Sequence, residues 1–259
     1  MKVYKTNEIK NVALLGSKGS GKTTLTESIL HECGMINRRG TVGAGNTVSD
    51  YFPVEKEYGY SVFSTIFYAE KSGKKINLFD CPGMDDFVGN VVTALGVCDT
   101  ALMLVDSQYG VEVGTQNQAR VVNNLEKPLI LAFNKLEGEK SDFDNVLSQV
   151  RELFGNKVVP LQFPVASGPG FKSIVDLLLM KQLNYGADGG KATIADIDAA
   201  VADKAEELRG ALLEMAAEND EALMDKFFES GELSEDEMIE GICKGLIDRS
   251  LIPVVCCSG

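Results

Sequence analysis

A glycine-broken segment near the amino terminus constrains this chain more than any other feature. Residues 11–24 read NVALLGSKGSGKTT, and the stretch from Gly16 to Thr23 has the spacing GxxxxGK(S/T). Glycines let such a loop wrap a polyphosphate, so that backbone N–H groups and the following helix N-terminus point at the anion. Lys22 can neutralise the terminal phosphates, and the threonine hydroxyl can bind Mg²⁺. The apolar run before the loop and the helix-like residues 25–30 after it favour a nucleoside triphosphate site over a chance surface turn.

A second motif, the tetrapeptide DCPG at residues 80–83, follows a strand-like run. A carboxylate at a strand tip can hold Mg²⁺ through water, and a glycine N–H can contact a γ-phosphate. The pattern DxxG alone is common by chance. Its position directly after a buried-type strand favours the metal-side element of a P-loop nucleotide-binding protein.

A third motif, NKLE at residues 134–137, follows the apolar run PLILAF. An amide that can donate and accept, an aliphatic lysine stem that can cover a ring face and a carboxylate that accepts from ring N–H groups describe a site for guanine. A polar turn that caps a helix explains these four residues equally well. The motif by itself leaves both interpretations open.

Strand-like and helix-like segments alternate through the first part of the chain, which predicts an α/β fold. We expect a P-loop NTPase with three layers, a mostly parallel sheet and helices on both faces, because right-handed crossovers place helices there. Ligands of such sheets bind at the carboxyl ends of the strands. The predicted strands are residues 60–68, 76–79, 100–106 and 128–133, and the predicted helices are residues 91–97, 115–125 and 143–154.

The remaining segments predict a long loop and a separate carboxyl-terminal part. Residues 35–53 are polar and glycine-rich, without a helical or strand period, and indicate a long mobile loop. Ser234 and Glu237 have the spacing of a capping box. The chain stops at the tip of an apparent core strand, so we expect a fragment. Further predicted strands are residues 158–165, 171–179 and 251–257, and further predicted helices are residues 194–217, 220–229 and 234–248.

Composition narrows the class of protein. A chain of 259 residues with 44% hydrophobic content can bury a full core. Without an apolar run of about 18 residues or a signal peptide, we expect no membrane association and a cytoplasmic location. The net charge of −13 argues against a surface that coats nucleic acid. Six cysteines without a CxxC pair and a single histidine favour reduced thiols over disulfides or zinc.

These segments together resemble the GTP-binding domain of elongation factor G, the ribosomal translocase, and its close relatives, over essentially the whole chain. The resemblance rests on GSKGSGKTT, DYFPVEKEYGYSVFST, DCPGMDDF and AFNKLE, and on two stretches similar to the family's inserted α+β subdomain, PLQFPVASGPGFKSIVDLLLMKQLNY and ALLEMAAENDEALMDKFFESGELSEDEMIEG. It implies a GTP-binding domain over residues 1–157 and 251–259, interrupted by the insertion at residues 158–250. Residues 165–168 and 257–259 could each be the last base-contacting loop, and family order favours the second.

The resemblance implies a Mg²⁺-dependent switch between GTP and GDP, in which the loop before residue 60 is ordered by GTP. Lys22 is expected to act on the β- and γ-phosphates, and Asp80 on the water of the metal. The Mg²⁺ ligands implied are Thr23, Ser61 and Asp80. The nucleotide-binding residues implied are Gly16, Ser17, Lys18, Gly19, Ser20, Gly21, Lys22, Thr23, Thr24, Asp80, Cys81, Pro82, Gly83, Met84, Asn134, Lys135, Leu136, Glu137 and Ser258.

Several positions depart from the family pattern. Met84 stands where the family has the histidine that orients the attacking water, and a thioether cannot position or relay a proton. Tyr58 replaces a switch-loop arginine and Gly19 replaces a P-loop aspartate. Ser61 stands for threonine and keeps the hydroxyl, whereas Glu137 stands for aspartate and puts base selectivity in question.

The resemblance implies a ribosome-binding translation factor that acts in the elongation (translocation) step, and we expect a monomer. The departures predict that it hydrolyses GTP slowly or not at all. Its GTP-binding domain is expected to make no sequence-specific contact with nucleic acid. The alternatives are an active ribosome-stimulated GTPase, a ribosomal protection protein of the tetracycline type and, more distantly, a P-loop ATPase or kinase outside translation.

Overall fold

A computed structural model of the chain describes residues 3–186 and 190–258, which form two compact units. The first unit contains residues 3–106 and 111–129. The second contains residues 107–110 and the described residues from 130 onward. We describe each unit by itself.

The first unit carries four strands in the order β2-β3-β1-β4. Strand β1 pairs in parallel with β3 and β4, and β2 and β3 form an antiparallel hairpin. Helix α3 packs against β1, and α1 against β3. The strands are β1 (Ile9–Leu15), β2 (Thr65–Lys71), β3 (Lys74–Asp80) and β4 (Thr100–Asp106), and the helices are α1 (Lys22–Glu32), α2 (Pro53–Tyr58), α3 (Val88–Val97) and α4 (Val113–Asn124).

The second unit contains a parallel group of strands in the order β5-β11-β6 and a four-stranded antiparallel sheet in the order β10-β9-β8-β7. Helix α6 packs against α7 and α8. The strands are β5 (Leu129–Asn134), β6 (Val158–Pro160), β7 (Gln162–Pro164), β8 (Ser173–Asp176), β9 (Lys181–Asn184), β10 (Thr193–Ala195) and β11 (Ile252–Cys256), and the helices are α5 (Phe143–Phe154), α6 (Ala202–Ala217), α7 (Glu221–Ser230) and α8 (Glu235–Asp248).

The predicted fold class is confirmed, because β1 pairs in parallel with both of its neighbours, β11 does the same, and a separate antiparallel sheet is present. Strand β4 and helix α5 have the predicted bounds. The capping box is also present, since the hydroxyl of Ser234 accepts from the N–H of Glu237 while the carboxylate of Glu237 accepts from the N–H of Ser234. The proposed boundaries at residues 158 and 250 stay a prediction.

The strand predicted at residues 60–68 begins only at Thr65. The carboxylate of Glu55 accepts hydrogen bonds from the backbone N–H groups of Val62 and Phe63, at 3.0 and 3.1 Å. The side-chain amide oxygen of Asn90 accepts one from the backbone N–H of Ser64. Backbone donors that a strand would give to its neighbour are therefore bound to side chains, so the strand prediction for residues 60–64 is wrong.

Three strand and helix predictions in the second unit are also corrected. Residues 158–165 form β6 and β7, which belong to different sheets. The strand predicted at 171–179 is confined to β8, because the carboxylate of Asp176 accepts from two following N–H groups, at 3.0 Å each, and closes a turn. The helix predicted from residue 194 begins at Ala202, because residues 193–195 pair with β9 instead.

The long loop at residues 35–53 contains one 3₁₀ turn, Val42–Ala44, and the start of α2 at Pro53. The buried carboxylate of Glu27, on α1, accepts from the N–H groups of Gly40 at 2.6 Å and Val48 at 2.5 Å. This polar segment is therefore fastened to α1 at two points. Within the described part of the chain, no helix has the length and apolar character needed to cross a membrane.

Candidate functional site

The glycine-rich loop runs from the end of β1 to the first turn of α1. Gly16 and Gly21 have φ values of +133° and +103°, which side-chain-bearing residues rarely adopt. A Cβ on Gly16 would lie 2.4 Å from the carbonyl oxygen of Leu104. The local sequence therefore folds this way because glycine alone fits the turn and the close approach to β4.

Lys22 is the first residue of α1, and its side chain is turned onto the loop. It is 6% exposed, and its ammonium donates hydrogen bonds to the carbonyl oxygens of Gly16, at 2.8 Å, and Ser17, at 3.0 Å. Burial lowers the pKa of Lys22, and the nearby carboxylate of Asp80 opposes that shift. The loop thus encloses a cation that is bonded to neutral carbonyl groups, and a phosphate would supply the anion that such a buried charge favours.

Asp80 is the last residue of β3 and is buried. Its Oδ2 accepts hydrogen bonds from the hydroxyls of Thr23, at 3.0 Å, and Ser49, at 2.7 Å. Its Oδ1 is buried without a hydrogen-bond partner among residues 3–186 and 190–258. Burial raises the pKa of this carboxyl group, and the hydrogen bond from Ser49 is the largest effect that lowers it. A carboxylate with one unsatisfied oxygen beside a threonine hydroxyl fits a bound Mg²⁺.

Gly83 lies directly against the glycine-rich loop. A Cβ on Gly83 would be 2.5 Å from the ammonium nitrogen of Lys22 and 2.7 Å from the backbone nitrogen of Lys18. The DCPG motif therefore brings its glycine to the side of the loop where the Lys22 ammonium lies. Cys81 is buried and burial raises the pKa of its thiol to about 12, which keeps it protonated. Met84 is half-buried and precedes the 3₁₀ turn Asp85–Phe87.

Ser61 is placed differently from Thr23. Its hydroxyl donates to Oδ1 of Asp50 at 2.7 Å, whereas the hydroxyl that reaches Asp80 from the long polar segment is that of Ser49. Sequence reasoning missed both Ser49 and Asp50. A polar residue in a glycine-rich loop carries no local signal of its partner, so neither could have been singled out.

One aromatic ring, that of Tyr60, packs against a second lysine of the loop, Lys18. The ammonium of Lys18 lies 4.2 Å from the ring centroid of Tyr60, a cation–π distance. Tyr58 is 59% exposed, and its ring centroid is 6.0 Å from that of Tyr60. Gly19 has open space around its missing Cβ within the described part of the chain. Tyr60 therefore contacts the loop through its aromatic ring, whereas Tyr58, at the position of the family's arginine, offers no cation.

Helix α4 supplies two side chains to the loop that sequence reasoning also missed. The Thr115 hydroxyl lies 3.1 Å from that of Ser17. The side-chain amide of Gln118 accepts from the N–H of Gly16 at 2.6 Å and donates to its carbonyl oxygen at 3.2 Å. The other predicted residues of the loop differ in exposure, since Ser20 is buried and Thr24 is exposed.

The NKLE turn lies in the second unit. Asn134 ends β5, and Lys135 has φ +60°, a strained value typical of functional turns. Leu136 is fully buried. The Ser258 hydroxyl donates to Oε2 of Glu137 at 2.7 Å. Two residues predicted to lie near the base, 121 positions apart in the chain, are therefore in contact.

Residues 165–168, the other candidate for the last base-contacting loop, also reach this turn. The N–H of Gly168 donates to the carbonyl oxygen of Leu136 at 2.8 Å. This contact involves the backbone of a buried residue, whereas Ser258 contacts the side-chain carboxylate of Glu137. Of the candidate at residues 257–259, Ser258 makes this side-chain contact, and Gly259 lies outside the described residues. Which of the two loops contacts the base stays a prediction.

Known proteins resemble this chain over most of its length. The family model described as "Elongation factor Tu GTP binding domain" matches residues 7–259. An elongation factor G-like protein of Thermotoga maritima is 32% identical over 247 residues, which cover 95% of this chain and 35% of that protein. A crystal structure of a Thermus thermophilus protein superposes with a TM-score of 0.90 at 31% identity, covering 97% of this chain and 37% of that one. The chain spans about a third of the length of these relatives, and it belongs to the family of elongation factor Tu GTP-binding domains.

Proposed function

We propose that this chain is the nucleotide-binding domain of an elongation-factor-G-like translation factor, which binds GTP and GDP with Mg²⁺ and acts on the ribosome during elongation, at the translocation step. The observation that carries the proposal is the buried ammonium of Lys22, held against the glycine-rich loop and beneath Gly83. The name of the Thermotoga maritima relative supports the translational role.

The phosphate chemistry is assigned to residues of the first unit. Lys22 and the N–H groups of the loop hold the β- and γ-phosphates, because they present positive charge and donors to the anion. Gly83 approaches closely enough for its N–H to reach a γ-phosphate. Thr23 and Asp80 would hold Mg²⁺, which would neutralise charge on the phosphate oxygens. Ser61, whose hydroxyl donates to Asp50, would be a further ligand only if that hydroxyl turned from Asp50 to the ion.

The guanine contact is assigned to the turn in the second unit. Asn134 offers an amide, and the stem of Lys135 covers the face of the base. The carboxylate of Glu137 accepts from the ring N–H and amino groups, and Ser258 fixes the orientation of that carboxylate. Glutamate is one methylene longer than the family's aspartate, so the Ser258 hydrogen bond compensates by restricting the longer side chain.

Hydrolysis is proposed to be slow or absent. Met84 offers a thioether where a water-orienting group is needed, and loss of such a group typically costs about 10²–10⁴ in rate. Tyr58 is exposed and carries no charge, and Gly19 has no carboxylate. The main role of the domain is therefore to bind GTP and, when GTP is bound, to order the polar loop before residue 60.

Two measurements test the proposal. In competition against a fluorescent guanine nucleotide, GDP and GTP should displace the probe at concentrations orders of magnitude below those of ADP and ATP. In a phosphate-release assay, the protein with ribosomes should turn GTP over much more slowly than a histidine-bearing relative at the same concentration. Equal displacement by adenine nucleotides would refute guanine binding, and turnover at the relative's rate would refute the hydrolytic part alone.

A further inference from the structure

Glu27 is a buried carboxylate on α1 that the proposed nucleotide chemistry does not use. It lies on the helix that Lys22 opens and is 1% exposed. Its Oε2 accepts a hydrogen bond from the backbone N–H of Gly40 at 2.6 Å, and its Oε1 accepts one from the backbone N–H of Val48 at 2.5 Å. A buried carboxylate needs such donors, and both of its oxygens are therefore committed to the polar segment.

The two donors lie at the two ends of a loop, residues 40–48, that is closed at its neck. A Cβ on Gly40 would lie 2.4 Å from the carbonyl oxygen of Asn46 and 2.8 Å from the Cα of Thr47. The backbone N–H of Thr41 donates to Oδ1 of Asn46 at 2.8 Å. The carboxylate therefore fastens both ends of a loop whose ends already touch, and a side chain at position 40 has no room there.

Ser49 follows this loop directly and reaches Asp80. Its hydroxyl donates to Oδ2 of Asp80 at 2.7 Å, and its carbonyl oxygen accepts from the hydroxyl of Thr65 at 3.1 Å. Because Val48 is the preceding residue, the hydrogen bond from its N–H to Glu27 sets where Ser49 begins. Oδ2 of Asp80 is held by two hydroxyl groups, so this carboxylate turns less freely than one held by a single hydroxyl.

We infer that Glu27 is a positioning residue for the proposed Mg²⁺ site, which closes the 40–48 loop and thereby places the hydroxyl of Ser49 on the carboxylate of Asp80. The inference rests on the proposed nucleotide-binding function. Glu27 contacts neither phosphate nor ion in this role, since both of its oxygens accept from the backbone of the loop. Removing a side chain that orients a metal-binding carboxylate typically lowers metal affinity about 10–100-fold.

Trypsin reports on the closed loop in the ligand-free protein. The N–H that Glu27 binds belongs to the peptide bond between Arg39, which is exposed, and Gly40, which is buried. Trypsin can cleave this bond only when the neck of the loop opens. In Glu27→Gln the amide must turn one of its own N–H groups toward a loop N–H, so we expect cleavage to accelerate by about 3-fold or more. Glu32→Gln, an exposed position on the same helix, is the matched control and should be cleaved as the wild type. Equal cleavage of Glu27→Gln and wild-type protein would overturn the inference.

Mg²⁺ titration of the GDP complex at one neutral pH tests whether Glu27 acts through Ser49. We expect Ser49→Ala and Glu27→Gln each to weaken Mg²⁺ binding about 10-fold. The double variant should bind Mg²⁺ no more weakly than Ser49→Ala alone, because the hydroxyl that Glu27 positions is already absent. A Glu27 that only supports the fold would add its own loss to that of Ser49→Ala. Additive losses, or unchanged Mg²⁺ binding in Glu27→Gln, would overturn the inference.

A second pair of variants covers the case in which Glu27→Gln does not fold. Gly40→Ala must open the neck of the loop, because its Cβ has no room against Asn46, whereas a Cβ on Gly43 meets nothing within 4 Å in the described part of the chain. We expect Gly40→Ala to lose Mg²⁺ affinity as Glu27→Gln does, and Gly43→Ala to match the wild type. Wild-type protein that binds no guanine nucleotide would overturn the proposed function and this inference together. Wild-type binding of GDP with unaltered Mg²⁺ affinity in Gly40→Ala would overturn this inference alone.

Discussion

The hydroxyl of Ser49 lies 2.7 Å from Oδ2 of Asp80, the oxygen that also accepts from Thr23. Ser49 belongs to the long polar segment and Asp80 to the tip of β3, so one hydrogen bond connects the loop to the carboxylate proposed to face Mg²⁺. Hydrogen bonds to the ionised form favour that form. Ser49 therefore helps to keep a deeply buried carboxyl group available to a cation.

Ser49→Ala should raise the pKa of Asp80 further, because the hydrogen bond from Ser49 lowers it against the effect of burial. Mg²⁺ needs the ionised carboxylate, so the pH at which Mg²⁺ ceases to tighten GDP binding should move upward in the variant. The ligand-free protein should also lose about 1 kcal/mol of stability. Mg²⁺ titrations of the GDP complex between pH 5 and pH 8 measure the first effect.

Ser28→Ala is the control for this experiment, because the Ser28 hydroxyl donates within α1 to the carbonyl oxygen of Thr24. The control should leave the pH dependence of Mg²⁺ binding as it is in the wild type. If the effect of Mg²⁺ on GDP binding is lost at the same pH in Ser49→Ala and in the wild type, the role assigned to Ser49 is contradicted.

Asp80→Asn should change how the stability of the ligand-free protein depends on pH. Burial raises the folded-state pKa of Asp80 above its unfolded value, so its contribution to stability is full below the unfolded pKa and is lost as pH rises through the folded pKa. Each unit of the raised pKa corresponds to about 1.4 kcal/mol. Asparagine does not titrate, so the free energy of unfolding of the variant should rise relative to that of the wild type between pH 4 and pH 8. Urea unfolding at a series of pH values measures this difference.

Asp86→Asn provides the comparison for the pH experiment, since Asp86 is exposed. Its stability should follow the wild type across the same pH range. If the stabilities of Asp80→Asn and of the wild type change in parallel as pH rises, Asp80 is not the group whose titration lowers the stability of the wild type.

The sequence predicted elements well where local pattern decides the structure. Residues 101–105 are apolar throughout and are bounded by the polar residues Thr100 and Asp106, and residues 100–106 form β4 with the predicted bounds. Residues 143–154 combine an amphipathic period with an aspartate N-cap, whose side chain accepts from the N–H of Asn145, and they form α5. The three sequence motifs were visible for the same reason, because the residues of each are adjacent in the chain.

The sequence could not predict contacts that depend on residues far apart in the chain. A glutamine in the middle of a helix is typical of a surface position, yet Gln118 is buried against Gly16. The strand expected at residues 60–64 is absent because the carboxylate of Glu55 binds the donors of Val62 and Phe63. Such side-chain to backbone contacts compete with regular pairing and leave no periodic signal.

Glu137→Gln should weaken GDP and GTP binding on the order of 100-fold while leaving ADP binding unchanged. The carboxylate accepts from two donors of guanine, whereas the amide can turn one of its own N–H groups toward them, which leaves charged hydrogen bonds unmade. Competition against a fluorescent guanine nucleotide measures the effect. Glu139→Gln, an exposed residue two positions on, is the matched control and should bind as the wild type. Equal affinities in both variants would place the base elsewhere.

Met84→His should increase ribosome-stimulated GTP hydrolysis. Met84 follows Gly83, where an added Cβ would lie 2.5 Å from the Lys22 ammonium, so a side chain at position 84 begins next to the phosphate side of the loop. Imidazole can accept and relay a proton where a thioether cannot, and positioned acid–base groups contribute about 10²–10⁴ in rate. We expect a gain of at least about 10-fold on that basis, with GDP affinity unchanged. Phosphate release with ribosomes measures the gain, and Met84→Leu controls for the side-chain change without adding a proton acceptor. A Met84→His variant no faster than Met84→Leu would show that the missing histidine does not limit hydrolysis in this protein.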